Sequence, residues 1–370
     1  MSQKSIFQQL GLRRVINAAG KLTVLGGSAL APEVAQAMAE AGHDYVDLPE
    51  LMRLAGRAIA RATGAEAGFI TCSAAAGIAL ATAACLTRGD PARIEALPHL
   101  PGPPDHMLIQ RGHAIHFSAS ILQMMAMAGA RVVEIGNTNR TLPHQLSAAL
   151  DEKTAGVMFV VSHHTTQAGM LSLGTTIELS HARNVPVVVD AAAELDLRKY
   201  ISAGADLVIY SGQKGIEGPA SGLVAGREEW VSACARQNSG IGRAMKIGKE
   251  SIAATLAALE RYLQRGETSR TPEQVAAASQ MAAQLSGIPG LQVRLAQDPT
   301  RSITRLRLAI EPNQARLDAA GLVARLEAHD PQIRTRNHAL EHGELEIDFR
   351  TLREGEPEEI VAAIRQYLTE

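Results

Sequence analysis

One lysine, Lys214, stands in a loop of glycines and small residues, "SGQKGIEGPASG" (211–222), directly after the apolar run "ADLVIY". A solvated lysine needs no such setting. Three roles suit it: part of a phosphate loop, an amine that forms a Schiff base, or a residue of an ordinary turn. The GxxxxGK(S/T) spacing of a phosphate loop is absent, and no helix start is evident there. Small neighbours let a planar cofactor lie against the backbone, and a lysine among them can have the lowered pKa a nucleophilic amine needs. Asp190 bears on the choice, because it ends the run "VPVVVD". Its carboxylate and Lys214 are therefore expected side by side on one edge of a sheet. A carboxylate at the end of so apolar a strand is costly without a cationic partner. A protonated pyridine nitrogen is such a partner, and that pairing keeps pyridoxal 5'-phosphate (PLP) an electron sink. A helix cap or an internal salt bridge is the bland alternative.

The phosphate of such a cofactor needs donors. "CSAAAG" (72–77) has the character of a strand-to-helix junction, where Ser73 and the amides of Ala74, Ala75 and Gly77 can cradle an anion at a helix N-terminus. Ser211, three residues before Lys214, offers a second hydroxyl. The ring's faces need partners as well. His113 in "QRGHAIHF" is expected to stack on one face, with His116 as the rival, and small Ala192 on the other. "SHHTTQAG" (162–169) brings His163, His164 and Gln167 to a further strand end. On an extended chain adjacent histidines point to opposite sides, so one of the two is expected to reach the site. No third metal ligand is apparent beside them, and no metal is expected.

The elements that position these residues follow from the hydropathy pattern. Apolar, β-branched runs at 67–72, 106–110, 130–136, 155–162, 185–191, 205–211 and 221–226 alternate with amphipathic stretches at 118–129, 143–150 and 174–183. Such alternation means a mostly parallel sheet buried on both faces, with ligands in the crevice outside the carboxyl ends of the strands. After residue 245 the pattern becomes α+β: helices near 249–265, 314–328 and 356–368, strands at 291–296, 303–310 and 344–349. The expected organisation is an N-terminal arm (1–30), a large cofactor domain (31–245) and a small domain (246–370).

Composition narrows the function classes. The chain has 370 residues, a net charge of −2 and only three cysteines, without a CxxC pair. No nucleic-acid footprint, disulfide framework or zinc site is indicated. The N-terminus lacks a signal-peptide core, and the apolar stretch at 73–86 is rich in Ala and Gly, as in a buried helix. A cytoplasmic protein with neither a membrane nor a nucleic-acid partner is expected.

"RGHAIHFSAS…AGARVVEIGNTNRT", "VVVDAAAELDLRKYISAGADLVIYSGQKGIEGPASGLVAG" and "GIGRAMKIGKESI" together resemble the bacterial selenocysteine synthase superfamily of fold-type-I PLP enzymes, which are aspartate aminotransferase-like. "INAAGKLTVLGGS" and "SHHTTQAGMLSL" resemble its short branch, the one related to D-glucosaminate-6-phosphate ammonia-lyase. The resemblance implies Lys214 as the Schiff-base lysine, Asp190 at the pyridine nitrogen, and a phosphate cup from the Ser73 loop and Ser211. It also implies a homo-oligomer with sites between subunits. Selenocysteine synthases carry an additional N-terminal domain for tRNA, whereas this chain starts almost at "GLRRVINAAG", so work on tRNA is not expected.

The expected activity is a PLP-dependent lyase of the dehydratase or ammonia-lyase type. It would act on a small hydroxyamino acid or amino sugar acid, phosphorylated or not, and release a keto acid and ammonia. Lys214 would take the α-proton, and His163, His164 or Glu194 would act as acid toward the β-hydroxyl. Arg350, with Arg336 as competitor, suits a clamp for the substrate carboxylate, and the basic loop with Arg243, Lys246 and Lys249 suits a phosphate of the substrate or of a neighbouring subunit's PLP. A racemase, an aldolase, a selenium transferase and a non-catalytic binding protein on a PLP fold are the alternatives.

Overall fold

The computed structural model describes residues 5–117, 119–266, 271–298 and 303–369. The chain divides into two compact units, one of residues 30–267 and one that joins residues 1–29 to 268–370.

In the large unit the apolar runs form a seven-stranded sheet: β1 (Ala67–Thr71), β2 (His106–Gln110), β3 (Arg131–Ile135), β4 (Thr154–Val160), β5 (Val187–Asp190), β6 (Leu207–Ser211) and β7 (Gly222–Gly226). Their order is β1-β7-β6-β5-β4-β2-β3. Strand β7 runs antiparallel to both of its neighbours, and the pairs from β6 through β5, β4 and β2 to β3 are parallel. Strands β4, β6 and β7 are buried along their whole length, as a sheet covered on both faces requires.

Helices α1 (Pro32–His43), α2 (Leu48–Thr63), α3 (Ala74–Thr87), the short α4 (Lys199–Ser202) and α5 (Lys249–Arg265) belong to this unit. Helix α3 is buried from Ala76 to Thr87, which its run of Ala, Gly and Leu permits. No helix among the described residues is long and apolar enough to cross a membrane. Residue 118, where one expected helix began, lies outside the described residues; the helix itself runs Ile121–Ala126.

The other unit holds an antiparallel sheet of β8 (Leu291–Gln297), β9 (Thr304–Ile310) and β10 (Glu344–Asp348), with β9 in the middle. Helices α6 (Thr271–Leu285), α7 (Ala319–Ala328) and α8 (Glu356–Thr369) complete it. The expected partition, 1–30, 31–245 and 246–370, differs from this in two ways. Helix α5 belongs to the large unit, because it packs on α1 and α2 and buries Ile252, Ala254, Ala258 and Leu259 in that unit's core. The arm joins the small unit, because Val15–Ala18 pairs in parallel with Gln332–Thr335 and buries Ile16 and Ala18 in its core. A composition shift at residue 245 carries no information about either contact.

Candidate active site

Register brings the candidate residues of the large unit to one edge of the sheet. Thr71 faces Gly222 and Gly222 faces Ser211, while Asp190 lies between Val160 and Ile209. Neighbouring strands lie about 4.8 Å apart, so Asp190 stands one strand away from the Ser211–Lys214 turn. Two further ties fix that turn. The Lys214 amide donates to Ser211 O at 3.2 Å, and the Ser211 amide donates to Ala192 O at 3.3 Å.

Asp190 is half-buried. Burial pushes its carboxyl pKa up, opposed by the Ala192 amide, which donates to Oδ1 at 3.1 Å, and by the charge of Lys214. The acid and the lysine therefore share one electrostatic neighbourhood, and the acid is incompletely compensated there. Ala192 presents a small half-buried side chain two residues further on.

Ser73 caps α3, its Oγ accepting from the Ala76 amide at 3.0 Å. That use occupies a lone pair and leaves the hydroxyl proton available to donate. The amides of Ala74 and Ala75 belong to the first turn, which a helix cannot satisfy internally. Gly77 departs from expectation. Its amide donates to Ser73 O at 3.0 Å, and a Cβ there would meet Ile209 Cγ2 at 2.9 Å, so this glycine packs the helix on the sheet and takes no part in an anion cradle. Gly222, unremarked in the sequence, matters more: a Cβ would sit 2.3 Å from Ser73 O and 2.9 Å from Ala74 N. Only a glycine lets β7 approach the mouth of α3 so closely.

His113 also departs from expectation. Its side chain is fully buried, so neither ring face is open to a cofactor, and the ring meets Phe159 in a T-shaped contact with centroids 4.6 Å apart. The Val160 amide donates to Nδ1 at 3.3 Å, which puts the proton of the neutral ring on Nε2, a buried atom with no hydrogen-bond partner among the described residues. Burial lowers the pKa of His113 to about 4. The rival, His116, is exposed.

Residues 162–167 form a turn, not the extended chain expected. Thr165 N donates to Ser162 O, and the rings of His163 and His164 meet at a 42° tilt with centroids 3.8 Å apart instead of pointing to opposite sides. His164 is half-buried and its amide donates to Ser162 Oγ at 3.2 Å; His163 is exposed. Gln167 donates from Nε2 to Val160 O at 3.3 Å, next to Asp190 in the sheet, and also bonds Thr165 Oγ1. Glu194 turns its carboxylate toward Tyr200, whose hydroxyl donates to Oε2 at 2.9 Å. That contact makes it a loop anchor and argues against the role of acid.

Thr71 Oγ1 donates to Met245 O at 3.3 Å, which sets the following residue, Lys246, beside the carboxyl end of β1. Arg243 and Lys246 are exposed. Lys249 is committed elsewhere, to Glu250 at 2.9 Å and to Ala41 O. Arg350 belongs to the other unit, where its guanidinium forks onto the fully buried Asp348, the shortest contact 2.6 Å. Burial alone would raise the Asp348 pKa, but the bonds and charge of Arg350 together with Arg305 hold it down to about 2. An internal salt bridge is what Arg350 makes. Arg336 meets Glu346 at 3.5 Å in the same unit.

Comparison with known proteins places this edge in context. The family described as L-seryl-tRNA selenium transferase matches residues 15–355. A D-glucosaminate-6-phosphate ammonia lyase of Salmonella typhimurium is 42% identical over 363 residues, covering 98% of this chain and 97% of its own. A solved structure of a D-glucosaminate-6-phosphate ammonia-lyase superposes with a TM-score of 0.92 at 41% identity, covering 99% of this chain and 98% of its own. A 5'-C-glycyluridine monooxygenase-decarboxylase of Streptomyces is 38% identical over 365 residues, covering 98% of this chain and 92% of its own. An alanine–glyoxylate aminotransferase of Nostoc, with a TM-score of 0.60 at 17% identity over 99% of each chain, shares the fold. The fold is fold type I of the PLP enzymes, as the sequence motifs led us to expect.

Proposed function

The chain belongs to the L-seryl-tRNA selenium transferase family, and from that premise we propose that it is a PLP-dependent ammonia-lyase of a phosphorylated amino sugar acid. The observation that carries this reading is half-buried Asp190 at a strand end, one strand away from the small-residue turn that carries Lys214. The donor set suits PLP. The Ser73 hydroxyl and the amides of Ala74 and Ala75 would take the phosphate, with Ser211 beside them, Asp190 the pyridine nitrogen, Ala192 a ring face and Lys214 the aldehyde carbon. Bound there, PLP supplies an electron sink for the pair left at the substrate's α-carbon.

The residues of the chain do the rest. Lys214 Nζ takes the α-proton. Loss of the β-hydroxyl needs an acid, and half-buried His164 suits that role better than exposed His163. The products are a keto acid and ammonia. Arg243 and Lys246 would receive the substrate phosphate, a role that Lys249, paired with Glu250, does not share. The assembly proposed is a homo-oligomer with sites between subunits, to which the exposed apolar Tyr45, Val46, Leu48 and Leu54 lend support. The compartment proposed is the cytoplasm, where three free cysteines persist.

A decarboxylating oxygenase is the second reading, because the Streptomyces relative covers the chain almost as fully. Ammonia and keto-acid release from D-glucosaminate 6-phosphate without oxygen separates the two. Equimolar products are expected. No anaerobic turnover, with oxygen-dependent release of carbon dioxide from a glycyl nucleoside, would favour the oxygenase. In the same assay Lys246→Ala should raise KM for the phosphorylated substrate about 10- to 100-fold, with little effect on an unphosphorylated analogue. Equal effects on both would remove Lys246 from the phosphate site.

A further inference from the structure

The chain has five tyrosines, and three of them hold a single loop. That loop, residues 191–197, follows Asp190. Tyr200 OH, from α4, donates to Glu194 Oε2 at 2.9 Å; Tyr210 OH, from β6, donates to Leu197 O at 2.9 Å; Tyr262 OH, from α5, donates to Leu195 O at 2.5 Å. Three hydroxyls from three elements thus converge on three of the four residues 194–197. The rings of Tyr200 and Tyr210 are buried, 4% and 1% exposed, and Tyr262 is half-buried.

What the loop touches gives these bonds their significance. Ala192 N holds Asp190 Oδ1, and Ala192 O receives the Ser211 amide. Glu194 O lies so near Gly215 that a Cβ there would stand 2.9 Å away, and Gly215 adjoins Lys214. One face of the loop therefore sets the acid and backs the lysine's turn, while the other is tied down by tyrosines. A connecting loop is ordinarily among the most mobile parts of a domain. Hydroxyl bonds to two backbone carbonyls and one side-chain carboxylate would suppress that mobility where Asp190 must be held to a fraction of an ångström.

We propose that Tyr200, Tyr210 and Tyr262 are positioning residues, whose hydroxyls lock the 191–197 loop and through it the orientation of Asp190 and of the Lys214 turn. The proposal rests on the PLP reading for its catalytic consequence, but its structural half stands by itself.

Phenylalanine keeps the ring and removes only the hydroxyl, so Tyr262→Phe, Tyr200→Phe and the double variant test it. Tyr367→Phe is the control, since Tyr367 bonds His329 at 2.8 Å in the other unit. The first readout is amide hydrogen exchange of the chain without cofactor. Residues 191–197 should exchange about tenfold faster in Tyr262→Phe and faster again in the double variant, with β5 and β6 unchanged. The second readout is the enzyme with PLP, where kcat should fall about tenfold while KM stays within about twofold, because the loop orients reacting groups and does not bind substrate. Tyr367→Phe should change neither.

Unchanged exchange in the loop overturns the proposal, and so does faster exchange with kcat at the wild-type value. If the double variant fails to fold, the single Tyr262→Phe, at a half-buried ring, decides alone. Faster loop exchange in a chain that never binds PLP would sink the proposed function and leave the locking role standing. Normal loop protection in the variants of an active lyase would sink the locking role alone.

Discussion

At Asp190 two demands meet: burial favours the neutral acid, whereas a pyridine nitrogen needs the anion beside it. The Ala192 amide and the charge of Lys214 move the balance toward the anion without completing it. A bound pyridinium would complete it. Asp190→Asn should therefore keep the phosphate contacts and hold PLP, yet turn over about 10²- to 10⁴-fold more slowly, since a neutral amide cannot keep that nitrogen protonated. Steady-state kinetics at saturating cofactor measure this, and a variant within threefold of wild type would contradict the role. The placement of Lys214 and Asp190 at neighbouring strand ends was legible because each breaks its local pattern, a charge after an apolar strand or amid glycines. The histidines at 163 and 164 misled, because an extended chain was assumed where Ser162 and Thr165 close a turn. The common target of the three tyrosines left no motif in the sequence, since two of their acceptors are backbone carbonyls. Their one signal in the sequence was scarcity, five tyrosines in a chain with 3% aromatics.

At the scale of elements the proposed phosphate site depends on how closely β7 meets the start of α3. Helix α3 was readable from its Ser73 cap, but its neighbour was not, since β7 approaches from more than a hundred residues away. Gly222 permits that approach, the space for its Cβ being filled by Ser73 O and Ala74 N. Gly222→Ala must push either β7 or the first turn of α3 aside, and overpacking of this kind costs about 1–3 kcal/mol. PLP affinity, read by equilibrium dialysis, should drop at least about tenfold, because the displaced amides are the proposed phosphate donors. Unaltered affinity would show that the first turn is no part of the phosphate site. The same reasoning explains Gly77, which looks like a cradle residue in sequence and is a packing residue in three dimensions. Sequence spacing fixes the order of a strand and a helix, whereas the side of the helix that meets the sheet depends on tertiary contacts.

For the molecule as a whole, the alternation of strands and helices was legible, and the division into units was not. The division follows contacts that cross the chain, Val15–Ala18 on Gln332–Thr335 and α5 on α1 and α2. The large unit also contains the chain's one tryptophan, Trp230, whose fluorescence can follow its unfolding. His113 gives that unfolding a pH dependence. Its pKa is lowered from 6.5 to about 4 by burial, so between those values the unfolded chain binds a proton that the folded chain does not. Stability is then fully present above about pH 6.5 and falls as pH drops toward 4, by about 3 kcal/mol in all. Urea melts followed through Trp230 should show this slope, and His113→Gln should flatten it; an identical slope in the variant would contradict the burial argument. The central claim, that this crevice holds PLP on one lysine, is tested most directly by borohydride reduction of the enzyme with PLP, followed by peptide mapping. Expected are a phosphopyridoxyl group on Lys214, loss of the visible absorbance band, and neither band nor label in Lys214→Ala. A label spread over surface lysines, or a band that persists in Lys214→Ala, would contradict it.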